Sequence, residues 1–470
     1  MQAGPVTIVD VREPNERAVS VIPGAITRDQ LAATPNPGRI VVYCTIGMRS
    51  GIATGELRAA GFDAYNLAGG VLFAASLGEG HALVAGDDEA GGAQRGQDAH
   101  GVGIVLGAIA VVGDIASDNH KVGLAGVDEA HRACADFYNA ASAEEIVFGQ
   151  NMTTLTLHMS RCLGRSFLKR GDEIVLSRMD HDANIAPWLL LAEDLGLVVR
   201  WMEFDIDTYE FPDDALSKVL SERTRVLAMG MASNCTGTVN DVKRFAAEAK
   251  AAGAIVYLDA VQYAPHYAID VQDIGADIVV SSAYKWFGPH MGILWGRTER
   301  LKETFGYKVR PVGEDLPHKF ETGTLSHEGM AGCLGAVEYL ASLGTGDSRR
   351  QQVVTAWKKM ETYEQSLTQQ LIDGISGIKG LKVRGITSAN AVHRRVPTVS
   401  FTVEGVQPVT LAKHFAGENM FVWSGHNYAL EPVNRMGLMD KGGVLRVGLA
   451  HYNTQDEVSR FISSLKATLS

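Results

Sequence analysis

Two stretches of sequence, YLDAVQYAPH (257–266) and VVSSAYKWFGPH (279–290), decide the fold of the larger part of this chain. Each begins with an apolar run typical of a buried strand and then turns polar, so that Asp259 follows one strand and Lys285 follows the next. Parallel strands end at one edge of a sheet, and ligands bind in the crevice outside their carboxyl ends. The sequence therefore predicts that Asp259 and Lys285 face one crevice.

Apolar strand patterns recur around these stretches, and helical patterns alternate with them. The strand patterns lie at 145–148, 173–176, 198–202, 226–229, 255–258 and 278–280. Such alternation predicts a doubly wound α/β domain. A long polar helix after about residue 343, followed by strands near 398–403 and 444–447, predicts a smaller C-terminal α+β domain.

A lysine paired with a carboxylate suits pyridoxal 5′-phosphate (PLP), which needs a lysine for its Schiff base and a carboxylate that keeps its pyridine nitrogen protonated. Thr153 and Thr154 lie in the first turn of a helix predicted to begin near Met152, where free amides and hydroxyls bind phosphate. His181, in MDHDANIAPW (179–188), offers a ring that could stack on a flat cofactor. Each residue alone is more often an ordinary capping or strand-end residue, so the inference depends on their combination.

A different chemistry is indicated near the N-terminus, where the apolar run RIVVY (39–43) ends at Cys44. A thiol between a strand end and a helix start meets successive backbone amides and a positive helix end, and both favour the thiolate. Gly47 allows the loop to curve tightly, and Arg49 adds positive charge. Such a thiolate could carry a persulfide; alternatively, Cys44 is a buried strand-end cysteine.

This segment resembles the single-domain rhodanese sulfurtransferases through four consecutive motifs: VDVREPNE (9–16), IPGAI (22–26), YCTIGMRSG (43–51) and AGFDAYNLAGGV (60–71). The resemblance implies that Cys44 carries the transferred sulfur. It also implies that residues 45–49 form the cradle, in which Arg49 binds the sulfur-bearing group.

From about residue 127 onwards, the chain resembles the class V aminotransferase-like enzymes of PLP fold type I, close to cysteine desulfurases and selenocysteine lyases. The resemblance implies that Lys285 forms the Schiff base, Asp259 pairs with the pyridine nitrogen and His181 stacks on the ring. It implies further cofactor contacts from Gln262 at the ring hydroxyl, from Asn234 beside the cofactor, and from Thr154 and Ser282 at the phosphate, next to Thr153.

Two other segments carry implied roles. FETGTLSHEG (320–329) resembles a segment that contacts the phosphate of the neighbouring subunit, so Thr324 is expected to act across the interface of a homodimer. Arg446, in LRVGLAHYNT (445–454), matches the arginine that grips the substrate carboxylate. The planar guanidinium suits this bidentate contact.

The chain departs from the desulfurase pattern at two positions. Desulfurases carry a mobile catalytic cysteine shortly before that arginine, but alignment of VWSGHNYALEP (422–432) places Tyr428 there. Tyr284 replaces the histidine that usually precedes the lysine, and no cysteine follows Cys333. The PLP domain is therefore not expected to form the usual persulfide on its own loop.

Charge and cysteine usage restrict the partners. The formal net charge of −11 disfavours nucleic acid, and no apolar run is long enough to span a bilayer. The five cysteines are odd in number and widely spaced, which indicates neither a disulfide framework nor a metal site. A reduced, cytoplasmic setting is the expectation.

These observations predict an α/β protein in four parts: a rhodanese-like domain (1–85), a Gly/Ala-rich linker leading into the PLP domain (86–126), a PLP large domain (127–343) and a small C-terminal domain (344–470). The leading hypothesis is a C–S lyase that acts on cysteine or a related sulfur amino acid. Sulfur would pass to Cys44, directly or as released sulfide or persulfide, and then to an acceptor protein.

Two alternatives remain open. The missing loop cysteine favours a PLP-dependent aminotransferase or epimerase with a fused sulfurtransferase module. A non-enzymatic scaffold that binds partners and presents Cys44 is the other alternative, although the set of Lys285, Asp259, His181 and Arg446 argues against it.

Overall fold

The computed structural model describes residues 6–10, 25–32, 34, 39–43, 57, 64–66 and 120–469. The chain divides into two compact units, residues 1–113 and residues 114–470. Cys44, Arg49 and the Gly/Ala-rich linker up to residue 119 lie outside the described residues.

The first unit contains a parallel sheet in the order β2-β1-β3-β4. Its elements are β1 (Val6–Asp10), β2 (Ile26–Thr27), helix α1 (Arg28–Ala32), β3 (Arg39–Tyr43) and β4 (Ala64–Asn66). Four buried side chains, Val9, Leu31, Ile40 and Leu57, pack together as its core. Strand β3 therefore ends at Tyr43, directly before Cys44 in the sequence, as predicted.

The second unit is built on a seven-stranded sheet in the order β5-β11-β10-β9-β8-β6-β7. The strands are β5 (Ile146–Gly149), β6 (Glu173–Ser177), β7 (Val198–Met202), β8 (Thr224–Gly230), β9 (Ile255–Asp259), β10 (Ile278–Ser282) and β11 (Gly292–Gly296). The pairs from β7 to β10 are parallel, whereas β11 runs antiparallel to both of its neighbours. The predicted α/β fold class is confirmed. The sequence patterns miss β11, because glycine at both of its ends weakens the strand signal.

Helices cover both faces of this sheet. Because successive residues of a strand point to opposite faces, a single strand packs against helices on both sides. Ile255 and Tyr257 of β9 join one buried cluster, and Val256 and Leu258 join the other. The helices are α2 (His120–Tyr138), α3 (Met152–Phe167), α4 (Ala186–Leu195), α5 (Val242–Ala251), α6 (Val271–Ile274), α7 (Thr298–Glu303) and α8 (His327–Leu343).

A smaller C-terminal part forms an antiparallel sheet in the order β12-β13-β15-β14. Its elements are α9 (Arg349–Ser376), β12 (Leu381–Val383), β13 (Thr398–Val403), α10 (Pro408–Gly417), β14 (Trp423–Gly425), α11 (Leu430–Arg435), β15 (Val444–Gly448) and α12 (Gln455–Leu469). Leu371, Phe401, Phe415 and Phe461 lie in its core. The predicted long helix and both predicted strands are present.

Close packing fixes the start of α3 against the sheet. The Asn151 side chain caps the helix by accepting the Thr154 amide, and the Met152 amide donates to Ser282 Oγ at 2.9 Å. Gly292 of β11 lies so near that a Cβ there would be 2.4 Å from the Asn151 carbonyl carbon. A residue without a side chain is therefore required at this contact.

We predict that Gly292→Ala lowers the free energy of unfolding by about 1–3 kcal/mol, the usual cost of overpacking, because backbone atoms of Asn151 must move. Chemical denaturation measures the change. Gly377→Ala is the control, since Gly377 has a φ of −87° and open space around it. Equal stability of Gly292→Ala and wild type would contradict this packing account.

Candidate active site at the carboxyl edge of the large sheet

The ends of β9 and β10 bring Asp259 and Lys285 to one edge of the sheet. Asp259 is the last residue of β9 and pairs with Val280 of β10 in parallel register. The chain then leaves β10 through one turn of 3-10 helix, Ala283–Lys285, which ends at the lysine. Both residues therefore lie at the carboxyl edge of the sheet, as predicted from the sequence, with Lys285 lining a cleft and Asp259 buried.

Asp259 is a buried carboxyl group with a raised pKa. Burial raises its pKa to about 7, the Asp180 carboxylate adds to this rise, and the Val261 amide and Lys285 oppose it. The Val261 amide donates to Asp259 Oδ1 at 2.8 Å. A cationic ring nitrogen beside Asp259 would stabilise its ionised form.

Asp180 is a second buried carboxylate that the sequence patterns do not single out. Its oxygens accept from the Gly230 amide and from Asn184 Nδ2, each at 2.9 Å. Burial raises its pKa to about 6. Asp180 directly precedes His181 in the sequence, and its position at a strand end is the signal that could have identified it.

His181 is neutral in this site, because burial, Lys285 and Arg446 lower its pKa to about 4. Its Nδ1 accepts the Ala183 amide at 3.0 Å, which assigns the ring proton to Nε2. One neighbour of the ring is Tyr428, with centroids 5.6 Å apart and planes inclined by 22°. Tyr428, predicted at the usual cysteine position, is therefore close to the candidate stacking residue.

Lys285 has a lowered pKa, caused first by desolvation and then by the positive charge of Arg446, with Asp259 opposing. A lowered pKa enlarges the fraction of neutral amine, which is the form that attacks a carbonyl. Lys285 Nζ also lies 5.3 Å from the centroid of the Tyr284 ring. Tyr284 therefore occupies a place beside the lysine, as its sequence position suggests.

The candidate phosphate residues lie at the start of α3. Ser282 Oγ is buried and contacts the Met152 amide. Thr153 is exposed, while the Thr154 hydroxyl donates to the Asn151 carbonyl at 2.9 Å and thus takes part in the helix cap. Thr324 is exposed on the segment that precedes α8. The structure brings Ser282, Thr153 and Thr154 together and places Thr324 on the surface of this subunit.

The C-terminal sheet contributes Arg446 to the cleft. Arg446 lies on β15, and its Nη1 donates to the Asn234 carbonyl at 3.0 Å. Burial lowers its pKa. Asn234 Nδ2 donates to the Asn427 carbonyl at 2.8 Å, whereas its buried Oδ1 has no hydrogen-bond partner within the part of the chain that the structure describes. A buried amide oxygen without a partner is costly unless a ligand supplies the donor.

Gln262, Lys285 and Arg446 line one cleft of about 270 Å³. Gln262 Nε2 donates to Thr398 Oγ1 at 3.0 Å, which joins the segment after β9 to β13 of the C-terminal sheet at the cleft wall. His266 also lines the cleft, and its Nδ1 lies 2.9 Å from the buried Glu364. The cleft therefore combines the basic side chains of Lys285 and Arg446 with hydrogen-bonding groups from the large sheet and the C-terminal sheet.

The thiols of the second unit are unsuited to sulfur transfer. Cys134, Cys162, Cys235 and Cys333 are all free and buried. Burial raises the pKa of Cys162 to about 11 and that of Cys235 to about 12. Among the residues described, no group of His, Cys, Asp and Glu could hold a metal ion, and no helix is long and apolar enough to cross a membrane.

Comparison with known proteins adds to this geometry. Residues 112–461 match the class-V aminotransferase family, and residues 1–72 match the rhodanese-like domain. The chain belongs to the class-V aminotransferase family. It is 33% identical over 345 residues to cysteine desulfurases of Yersinia pestis and Yersinia pseudotuberculosis, which covers 71% of this chain and 80% of theirs.

Solved structures of other proteins share the fold. The cysteine desulfurase CsdA of Escherichia coli, in its S-sulfonic acid form, is 26% identical, with a TM-score of 0.68 over 78% of this chain and 91% of that chain. A C-DES variant with glycine covalently linked to its PLP cofactor is 17% identical, with a TM-score of 0.64 over 77% of this chain and 92% of that chain. At this identity the likeness shows only that the two chains share a fold. The chain is accordingly a PLP-dependent enzyme with a rhodanese-like module.

The described residues fit PLP. Asp259 is a buried carboxyl that a pyridine cation would pair with, and Asn234 Oδ1 is a buried acceptor awaiting a donor. The first turn of α3 lies beside Ser282: the Met152 amide donates to Ser282 Oγ and the Thr154 amide to Asn151, which leaves the Thr153 amide and the hydroxyl groups of this turn for a phosphate. Lys285 has a lowered pKa and stands at the same edge. The site therefore suits the cofactor that the family uses.

We predict that Asp259→Asn stabilises the cofactor-free protein more at about pH 8 than at about pH 4. Between the ordinary pKa of 3.8 and the folded pKa of about 7, the folded carboxyl retains a proton that the unfolded chain has lost. Stability from this group therefore falls as the pH rises through that window. Denaturation at both pH values measures the change, with the exposed Asp440→Asn as control. A pH-independent difference from wild type would refute the prediction.

Proposed function

We propose that the second unit cleaves the C–S bond of cysteine or of a related sulfur amino acid, and that Cys44 of the first unit receives the sulfur. The observation that carries the proposal is that Lys285 and Arg446 line one cleft, while the pairing of β9 with β10 places the buried Asp259 at the same edge of the sheet as Lys285. The likeness to cysteine desulfurases and the rhodanese-like match support it.

Each candidate residue has a proposed task. Asp259 pairs with the pyridine nitrogen, His181 stacks on the ring, Gln262 contacts the ring hydroxyl and Asn234 lies beside the cofactor. The phosphate is held by Thr153, Thr154 and Ser282, together with Thr324 of a second subunit in a homodimer.

Bound PLP supplies an electron sink for the bonds around the substrate Cα. Arg446 grips the α-carboxylate and thereby orients the amino acid in the cleft. Lys285, whose lowered pKa enlarges the fraction of neutral amine, accepts the α-proton. Neutral His181 adds no positive charge against the ring.

The buried thiols and Tyr428 suggest that the sulfur leaves the second unit. In a direct reaction, the Cys44 thiolate attacks the cysteine sulfur and forms an S–S bond. The Cβ–S electron pair stays with carbon, which takes a proton to give alanine. With cystine, loss of the α-proton and cleavage of one Cβ–S bond instead leave cysteine persulfide, and water converts the carbon fragment to pyruvate and ammonium. The persulfide then donates its outer sulfur to Cys44 and leaves as cysteine. Neither route requires an added oxidant.

An acceptor protein would then take the sulfur from Cys44, whose loop, by analogy with rhodaneses, includes Arg49 as a sulfur-binding residue. The free, buried cysteines of the second unit are consistent with the reducing cytoplasm that we propose as the location.

An aminotransferase or epimerase is the second candidate function. Tyr428 favours it, because this residue occupies the position where a desulfurase presents its cysteine and is 64% exposed. The amino-acid products separate the two functions, since only C–S cleavage yields sulfide or sulfane sulfur.

We predict that the PLP-loaded protein releases sulfide or sulfane sulfur from L-cysteine or L-cystine, and that Lys285→Ala lowers this rate by at least about 100-fold. The control is Lys379→Ala, which removes an exposed lysine that does not line the cleft. Absence of sulfur release by wild-type protein with bound cofactor, together with keto-acid formation from another amino acid, would favour transamination instead.

We predict that wild-type protein treated with substrate carries a persulfide on Cys44 and that Cys44→Ser abolishes it. Mass spectrometry of peptides from the intact chain locates the extra sulfur. The persulfide should require both Lys285 and Cys44, so the Lys285→Ala protein should also lack it. A persulfide that persists on the Cys44→Ser protein would show that another thiol receives the sulfur.

A further inference from the structure

The outer part of the cleft carries a cluster of aromatic side chains that the proposed chemistry does not use. Phe287, Phe421, Trp423 and Tyr452, which we call the aromatic rim, all line the same cleft as Lys285 and Arg446. Three of them are largely exposed: Phe421 at 84%, Trp423 at 65% and Tyr452 at 68%. Exposed apolar clusters of this kind mark binding sites.

Strand register ties the rim to the residue proposed to hold the substrate. Trp423 of β14 lies directly opposite Arg446 of β15 in antiparallel pairing. Side chains of an opposed pair project from the same face, with Cβ atoms about 5 Å apart. Leu445 and Val447 point into the small-domain core, so Arg446 and Trp423 point to the cleft. An amino acid held at Arg446 therefore has its side chain within reach of the indole.

The opposite side of the rim is tied to Lys285. Phe287 follows the lysine by two residues and has a left-handed φ of 72°, which is unusual for a bulky residue. Its ring meets those of His451 and Tyr452 edge-to-face, at centroid distances of 4.7 and 6.2 Å. The backbone thus accepts an uncommon conformation where it places an aromatic ring beside the lysine.

The charges of the cleft divide it into two parts. Its charged lining residues are Lys285 and Arg446, and His266 is paired with Glu364. The aromatic rim carries neither a carboxylate nor a cation. The inner part therefore suits a carboxylate, and the rim suits an uncharged, flat group.

We propose that the aromatic rim is a subsite for an apolar, preferably aromatic, group carried on the sulfur of the substrate. This inference rests on the proposed C–S cleavage and specifies its substrate class as S-substituted cysteines. Free cysteine ends at its thiol and leaves the rim exposed to water, whereas a ring on the sulfur covers it.

The reaction balances without an oxidant for such substrates. With S-benzyl-L-cysteine, the α-proton leaves Cα, the Cβ–S bond breaks and sulfur departs with the electron pair, taking a proton to give benzyl thiol. Water converts the remaining fragment to pyruvate and ammonium. When the substituent is itself joined through sulfur, the same cleavage leaves a persulfide, R–S–SH, whose outer sulfur Cys44 can take with release of R–SH.

The experiment compares kcat/KM for S-benzyl-L-cysteine and L-cysteine in the PLP-loaded full chain. We expect wild type to favour the benzyl compound and Trp423→Ala to reduce that preference by roughly three- to tenfold, as for loss of one aromatic contact. Trp423→Phe should retain most of it. Phe305→Ala is the matched control, because Phe305 is 40% exposed and contacts Ser166 at the far end of α3 from Thr154.

Equal preference in wild type, Trp423→Ala and Phe421→Ala would overturn the subsite. The subsite would also be overturned if these variants changed their oligomeric state but kept the wild-type preference between the two substrates. The rim would then be a subunit interface. If neither compound is cleaved, the proposed function fails. The subsite is then tested by titrating the cofactor absorption band with S-benzyl-L-cysteine and with L-alanine. Tighter binding of the benzyl compound in wild type, lost in Trp423→Ala, supports the subsite. Equal binding of the two compounds refutes it.

Discussion

The structure depends on one electrostatic constraint: a buried carboxyl and two cations share the carboxyl edge of the large sheet. The parallel register of β9 and β10 fixes Asp259 and Lys285 there, and β15 of the C-terminal sheet brings Arg446 to the same cleft as Lys285. Burial shifts each group away from its preferred charge, raising the pKa of Asp259 and lowering those of Lys285 and Arg446. Such a site favours a ligand that brings a cation to Asp259 and a carboxylate to Arg446.

Much of this site follows from the sequence, because apolar runs locate strands and the ends of parallel strands share an edge. That reasoning predicts the crevice of Asp259 and Lys285 and the helix that begins at Met152. It does not reveal the aromatic rim, since the pairing of Trp423 with Arg446 depends on the register between two strands. Nor can it distinguish a threonine that caps a helix from one that binds phosphate, and the Thr154 hydroxyl joins the cap here. Asp180 is hidden for a similar reason, because its burial depends on contacts with Gly230 and Asn184.

The distribution of thiols between the two units suggests a division of their chemical tasks. In the second unit, the described cysteines are buried and hard to ionise, and Tyr428 occupies the loop next to His181. The first unit matches the rhodanese-like domain and carries Cys44 directly after β3. Bond cleavage and sulfur carriage are thereby proposed for different units, and their covalent connection raises the effective concentration of one for the other.

The central claim is that Lys285 is the residue that binds the cofactor covalently. Reduction of the PLP-loaded protein with borohydride makes that bond permanent, and peptide mapping by mass spectrometry then locates it. The account predicts one modified peptide, containing Lys285, and no modification in Lys285→Ala. Modification of a different lysine, or none in protein that has bound PLP, would contradict the account.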